Sequence, residues 1–441
     1  MQIKFRFTQR FYAIWVVLTA GFAISFFFPW LWMFTLLCVG VLTGFCLLDG
    51  LLLFRMPEGL GAVRSVPEKL SNGDENPIYI EIINQYPFKV KLEVIDELPF
   101  QFQIRNFSLQ HSLLAGATKK IYYLLRPTRR GEYHFGHIRC FVASPFGLVQ
   151  RHFKLGYPQT VKVYPSFLQM RRYEILAISH RLTETGIKKI RRLGHTREFE
   201  QIKTYVSGDD MRNINWKATA RRGTLMVNEY LDEKSQAIYC LIDKGRAMKM
   251  PFDGMSLLDY AINASLVLCN IALLKQDRAG LATFSHKLGT LLLAQRSSKQ
   301  MGAILEHLYN QKTAFKDTNF EPLVTYIHRK INQRSLLVLF TNFESLASME
   351  RQLPYLKLLA KAHVLLVIFF ENTVLNALTQ PKPQDTQQVF EQVIIEKFAY
   401  EKRLIIKALM QNGIYSVLTT PQQLTVDTLN KYLEMKARGL I

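Results

Sequence analysis

Apolar and polar positions change period twice along this 441-residue chain, and each change marks a different kind of structure. Phe11 to Phe28 ("FYAIWVVLTAGFAISFFF") is an uncharged apolar run. Pro29-Trp30 interrupts it, and Leu31 to Leu48 ("LWMFTLLCVGVLTGFCLL") continues without a charge. Each run has the length that crosses a hydrocarbon core, and the break, with Pro29, Trp30 and Trp32, suits a tight interfacial turn. A signal peptide would have one shorter apolar stretch and a small-residue cleavage site, so the pattern predicts a transmembrane helical hairpin over residues 1–55. Lys4, Arg6 and Arg10 precede the first run and Arg55 follows the second, while the turn between them has no lysine or arginine. That asymmetry places both ends on the cytoplasmic side of the inner membrane, and the soluble domains with them. Asp49 falls near the inner end of the second span and is expected at the interface.

From about residue 66 the period shortens to two. "NPIYIEIINQ", "FKVKLEVIDEL", "TKKIYYLLRP" and "QTVKVYPS" alternate apolar and polar residues, with turn signals at Asn72-Gly73, Tyr86-Pro87, Arg130-Gly131 and Ser144-Pro145. About seven short strands over 66–165 predict an antiparallel β-sandwich of immunoglobulin-like size. A connecting segment, 166–235, follows. From Gln236, buried-looking strands alternate with amphipathic helices: "AIYCLI", then Ser256 to Gln276, "AGLATF", "SLLVLF", "HVLLVIFF" and "IYSVLT" with helices between. This predicts an open, mostly parallel α/β sheet over 236–441. Ligands on such sheets bind beyond the carboxyl ends of the strands. That singles out Asp243 after the first strand and Thr341-Asn342 after "SLLVLF".

Composition adds one constraint. The chain carries 56 basic and 35 acidic residues, a net +21, which calls for an anionic neighbour: lipid, acidic protein or nucleic acid. The five cysteines are widely spaced and odd in number, and no C-x-x-C occurs, so neither a disulfide framework nor a structural zinc site is indicated.

The segment "YVSGDDMRNINWKATARRGTLMVNEY", Tyr205 to Tyr230, concentrates the polar chemistry. A hydrolase reading takes Asp209 and Asp210 as a catalytic pair, but adjacent side chains diverge and no histidine lies in the stretch. The chain has no G-x-S-x-G, no phosphate-binding G-x-x-x-x-G-K-[ST] and no H-E-x-x-H. A nucleic-acid reading takes the thirteen basic and six acidic residues between Arg171 and Arg222 as a binding surface. One tryptophan is a thin stacking platform, and a basic face near a membrane already has anionic lipid to meet. In the structural reading, Gly208 permits a turn and Asp209 or Asp210 caps a short helix. Asn215 caps a second helix starting at Trp216, Trp216 anchors the segment, and Arg212 or Arg221 forks onto a carboxylate. The segment then braces the β domain against the α/β domain.

The pattern Gly208, Asp209, Asp210, Arg212, Ile214, Trp216, Ala220, Arg221, followed by "QAIYCLIDKGRAM", resembles the membrane-anchored bacterial family called domain of unknown function 58. The resemblance implies a C-terminal domain like von Willebrand factor A, and a MoxR-type AAA+ ATPase as a protein partner. Domains of that type often hold Mg²⁺ through D-x-S-x-S, a threonine and a further aspartate. Here Asp243-Lys244-Gly245-Arg246-Ala247 keeps only the aspartate; Thr318 offers a threonine and Asn342 stands where the last aspartate would be. A hard divalent ion wants several oxygens and net negative charge, so no metal or other cofactor is expected. The resulting expectation is a non-catalytic, membrane-anchored scaffold. It would dock protein partners on the face around Asp243, Thr318 and Asn342, with the assembly or maturation of envelope complexes as the setting the resemblance implies. The rival expectations are the hydrolase at Asp209/Asp210 and nucleic-acid binding by 171–222.

Overall fold

The computed structural model describes residues 4–178, 198–207, 209, 211–231, 235–371 and 386–441. The chain divides into two compact units, Met1–Tyr164 and Pro165–Ile441.

In the first unit, strand β1 (Lys4–Phe7) leads into α1 (Gln9–Ser25), and α2 (Trp30–Phe54) follows after a short turn. Thr8 caps α1, its hydroxyl oxygen accepting from the Phe11 amide. The two helices pack on each other. A Cβ at Gly21 would lie 3.1 Å from Thr35 Cγ2, and Phe22 meets Trp32 edge-on at 5.5 Å, so a small residue lets the backbones approach. At 17 and 25 residues they extend about 26 and 37 Å. Their outer surfaces are apolar and exposed: Val17 is 70% and Leu47 70% accessible.

The rest of this unit is antiparallel sheet with one parallel pair. In chain order the strands are β2 (Leu60–Ser65), β3 (Lys69–Ser71), β4 (Asn76–Asn84), β5 (Val90–Asp96), β6 (Leu109–Leu113) and β7 (Thr118–Leu125). β8 (Gly131–Phe135), β9 (Ile138–Ala143), β10 (Val149–Leu155) and β11 (Gln159–Tyr164) complete them. They form sheets ordered β1-β10-β9-β5-β6, β2-β4-β7 and β3-β11-β8. Period-two alternation puts Ile78, Ile80 and Ile82 of β4 and Val90, Leu92 and Val94 of β5 into one core with Cys140, Val142, Val161 and Val163. The strands exceed the seven expected, and β1 was not foreseen. "KFRF" sits among the positive charges that flank the first apolar run, and only pairing with β10 makes it a strand.

Asp49 is fully buried by the β-sheet, and accepts hydrogen bonds from the Ser144 hydroxyl and from the Leu148 and Val149 amides at 3.0 and 2.9 Å. One α2 carboxylate therefore satisfies the backbone of the β9–β10 turn, and Phe45 of α2 packs on Phe146 in the same turn. One turn further on, buried Arg151 of β10 donates to the Leu53, Met56 and Pro57 carbonyls, and Tyr86 Oη donates to Leu53 O. A guanidinium at the carbonyl end of a helix satisfies orphan acceptors and complements the helix dipole.

The second unit opens with α3 (Phe167–Ile178), an antiparallel pair β12 (Glu198–Thr204) and β13 (Met226–Leu231), and the short helix α4 (Trp216–Arg222) between them. Then come β14 (Ala237–Asp243), the short pair β15 (Pro251–Phe252) and β16 (Met255–Ser256), and α5 (Leu257–Leu274). β17 (Arg278–Phe284), β18 (Leu288–Gln295), α6 (Gln300–Tyr309), α7 (Glu321–Lys330) and β19 (Leu336–Phe340) follow. The chain continues through α8 (Leu346–Ala362), β20 (Val364–Phe370), α9 (Thr386–Gln411), β21 (Tyr415–Thr419) and α10 (Leu424–Ala437). A six-stranded sheet ordered β18-β17-β14-β19-β20-β21 is parallel except at the β17–β18 hairpin. Strands β14, β19 and β20 are buried along their whole length, as continuous apolar runs in a doubly covered sheet require. One core takes α5, α6 and α10 and the other takes α7, α8 and α9. Ser256 and Asp259 close a capping box at the start of α5. This helix is as long and apolar as a membrane span, but 83% of it is buried, against 17% for α2.

Removing the Asp49 carboxylate leaves two buried amides without an acceptor. Asp49→Ala is expected to destabilise the first unit by about 2–4 kcal/mol, and Asp49→Asn, which keeps one oxygen, by less. Thermal unfolding of the detergent-solubilised chain measures both; equal midpoints for Asp49→Ala and wild type would refute this role.

Candidate functional site

The polar segment folds as an excursion between two paired strands. β12 ends at Thr204, a 3₁₀ turn covers Met211–Asn213, and Ile214 bridges to Val227 before α4 begins. Asn215 caps α4: its side-chain oxygen accepts from the Ala218 amide at 3.0 Å, and its nitrogen donates to Asn228 Oδ1 at 2.8 Å. Gly223, at φ +72°, ends the helix in the left-handed conformation that favours glycine.

Asp209 turns back on the segment before it. Its Oδ2 accepts from the preceding Val206 amide at 3.0 Å, and its Oδ1 lies 3.3 Å from Lys203 Nζ on β12. The carboxylate closes its own turn and pairs with a lysine. Trp216 is 69% exposed, so it does not anchor the segment in a core. The first position of a helix points wherever the capping residue aims it, and here that is outward. Arg221 is exposed and has no ion pair among the described residues. Gly208 and Asp210 lie outside the described residues, and Arg212 is placed only by its backbone in the 3₁₀ turn.

The second group of predicted residues meets at the carboxyl edge of the large sheet. Asp243, the last residue of β14, is 1% exposed. Its Oδ1 accepts from Thr318 Oγ1 and from the Gly245 amide, each at 2.7 Å, and its Oδ2 accepts from Thr341 Oγ1, also at 2.7 Å. Burial pushes the carboxyl above its usual range, and the three donors pull it back. Asp243, Thr318, Thr341 and Asn342 line a cavity of about 110 Å³, rimmed by Arg246, Asp317, Glu344 and Arg351. Arg246 bridges the rim loosely, 3.8 Å from Asp317 and 3.9 Å from Glu344, with all three side chains well exposed. Lys244 turns away from the carboxylate and donates to Gln311 at 2.9 Å.

Asn342 lines this cavity and also a second one beside it. Its Oδ1 accepts from Lys402 Nζ at 3.0 Å, and the same ammonium donates to the Phe343 carbonyl. Lys402 comes from α9 and lines a cavity of about 270 Å³ whose walls include Phe252, Leu257, Phe370, Ile395 and Phe398. Burial lowers its pKa to about 8, and Glu344 opposes that shift. Sequence reasoning missed Lys402, although a signal existed. On α9 it shares one face with buried Ile395, Ile405 and Leu409, a lone charge at core spacing.

The donor set does not fit a divalent ion. The carboxylate of Asp243 is met by protein hydroxyls and an amide, and the Asn342 oxygen is held by a cation. A side chain at Gly245 would overlap the Thr318 hydroxyl, so a residue larger than glycine there requires that hydroxyl to turn away from Asp243. Among the described residues no group of three or more histidine, cysteine, aspartate or glutamate side chains could hold a metal.

Residues 201–372 match the family described as "Protein of unknown function DUF58", so the resemblance read from Gly208 to Arg221 holds over that span. The "Uncharacterized protein YeaD" of Bacillus subtilis (strain 168) is 26% identical over 209 residues, 45% of this chain and 52% of that protein. The chain thus spans about half the length of this curated relative. Among solved structures, the conserved hypothetical protein BatB from Bacteroides thetaiotaomicron aligns with 46% of this chain and 99% of its own, at 9% identity and a TM-score of 0.28. A CARDB domain from Pyrococcus furiosus aligns with 24% of this chain and 86% of its own, at 15% identity and a TM-score of 0.18.

Lys402 gives the site a pH signature. Its folded value near 8 lies below the ordinary 10.5, so the unfolded chain holds the proton across that window while the folded chain has released it. Stability is expected to rise with pH from about 8 to about 10.5, and Lys402→Met should remove that rise. Asp243 acts in the acid range with the opposite trend. Its raised carboxyl stabilises the fold below the ordinary carboxylate pKa, and the benefit is lost as pH rises through the folded value. Denaturant unfolding at pH 7.5, 9 and 10.5 measures the lysine effect; parallel curves for wild type and Lys402→Met would refute it.

Proposed function

We propose that this DUF58-bearing chain is a membrane-anchored, non-catalytic scaffold that holds protein partners at the carboxyl edge of its α/β sheet. In this reading α1 and α2 form a transmembrane hairpin in the inner membrane. Lys4, Arg6, Arg10 and Arg55 keep both ends, and both soluble parts, in the cytoplasm. The exposed apolar surface of α1 and α2 supports anchorage, since water would not tolerate so large a contiguous patch. The six-stranded sheet is read as a domain of the von Willebrand factor A type whose metal-bridging position has been lost.

The observation that carries this reading is the closed set of hydrogen bonds around Asp243. Where a bridging ion would need open oxygens, Asp243 is satisfied from within, and exposed Arg246, Asp317 and Glu344 ring the cavity. Partner contact is then direct, through charged rim residues and hydrogen bonds, and requires no ion. A MoxR-type AAA+ ATPase is the partner the family resemblance implies, with assembly or maturation of envelope complexes as the setting.

Crosslinking in intact membranes followed by affinity recovery should return a protein of the AAA+ class. Asp243→Ala should leave that recovery within about twofold of wild type, whereas charge reversal at Arg246 and Glu344 together should lower it about tenfold or more. Loss of binding in Asp243→Ala that excess Mg²⁺ partly restores would overturn the direct-contact mechanism.

A further inference from the structure

We propose that the outward face of the five-stranded sheet, at the root of α1, binds the phosphodiester headgroup of an anionic membrane lipid. The inference rests on the reading of α1 and α2 as a membrane anchor. Residues directly opposite in a sheet share a face, and the register lays one row straight across five strands: Arg6, Gln150, Ala143, Lys91, Ser112. In the adjacent row Arg151, Val142 and Leu92 are buried, while Arg6, Lys91 and Ser112 are exposed, so the Arg6 row faces outward. Three strand spacings separate Arg6 from Lys91, about 14 Å, with the small Ala143 between them. Two long cations thus stand on either side of a low floor, with Gln150 and Ser112 as neutral donors.

A third cation closes the arrangement. Arg10, in the first turn of α1, lies beside the β9–β10 turn, its Nη1 3.6 Å from where a Cβ on Gly147 would be. Arg6, Arg10 and Lys91 line one cleft of about 830 Å³, in the range of ligand sites. Among the described residues, Glu93 is the one carboxylate lining it. His111, on the rim, faces Lys119 at 3.3 Å and has its pKa lowered by burial and by that lysine. Among the described residues, Arg6, Arg10 and Lys91 have no ion pair, so the cleft gathers like charges that an anion would neutralise.

The position of the cleft identifies the source of the anion. Arg10 and Tyr12 border the cleft, and the exposed apolar surface of α1 starts immediately beyond them with Val16 and Val17. A phosphate seated between Arg6 and Arg10 would leave its acyl chains alongside that surface, whereas a free phosphate would have no use for it.

The test titrates the full chain in neutral detergent with phosphatidylglycerol, phosphatidylcholine or sn-glycerol 3-phosphate, and counts bound molecules by native mass spectrometry. Phosphatidylglycerol should bind at least tenfold more tightly than phosphatidylcholine. Arg6→Gln with Lys91→Gln should weaken it about tenfold, while the control pair Lys299→Gln and Lys330→Gln should not. Equal affinity for the two lipids, an equal loss in the control, or glycerol phosphate binding as tightly as the lipid would overturn the proposal. Alkaline carbonate extraction of membranes separates the two readings. Release of the chain would overturn the anchor and this site together, whereas retention with no lipid preference would overturn the headgroup site alone.

Discussion

Asp49 sits on a helix with every outward mark of a lipid-facing span, yet its carboxylate is fully buried and collects the backbone amides of the β9–β10 turn. A buried carboxylate is costly unless each oxygen is met, so this contact fixes how α2 leaves the sheet. Arg151 completes the constraint one turn later by taking the carbonyls at the end of α2. Donors of a turn meet an acceptor on the helix, and acceptors of the helix meet a donor on the strand. Apolar helices and β-sheet consequently form one compact unit rather than a tethered pair. The basic row across β1, β10, β9 and β5 keeps its place beside α1 for the same reason.

The second unit applies the same rule to different ends. At the carboxyl edge of its sheet, Asp243 is closed by two threonine hydroxyls and an amide, and Lys402 holds Asn342. At the opposite edge, buried Asp277 accepts from Tyr432 Oη and Lys436 Nζ, each at 2.6 Å, and so fastens α10 to the start of β17. Both carboxylates lie next to strand ends, where backbone groups and side chains from several loops converge. One is ringed by an open, charged rim suited to contact, and the other is sealed by the last helix.

Much of the architecture was legible in the residues. Uncharged runs of eighteen residues marked α1 and α2, alternation marked β4, β5 and β11, and apolar runs followed by amphipathic helices marked the parallel sheet. Asn215 before Trp216 was readable as a cap because capping depends on local spacing. Side-chain partners were not readable. Asp209 met Lys203 upstream, and Trp216 faced outward, because both depend on how β12 and β13 pair.

The sequence by itself determined the periods: which segments are apolar throughout, which alternate, and where the polar chemistry accumulates. Those features follow from local steric and hydrophobic preferences that act over a few residues. Only the tertiary structure decided which groups meet. Asp49 with Val149, Asp243 with Thr341, Asn342 with Lys402, and Arg6 in register with Lys91 are all separated by sixty residues or more. Contacts over such distances are set by strand order and register, since a one-residue slip would turn every side chain to the other face.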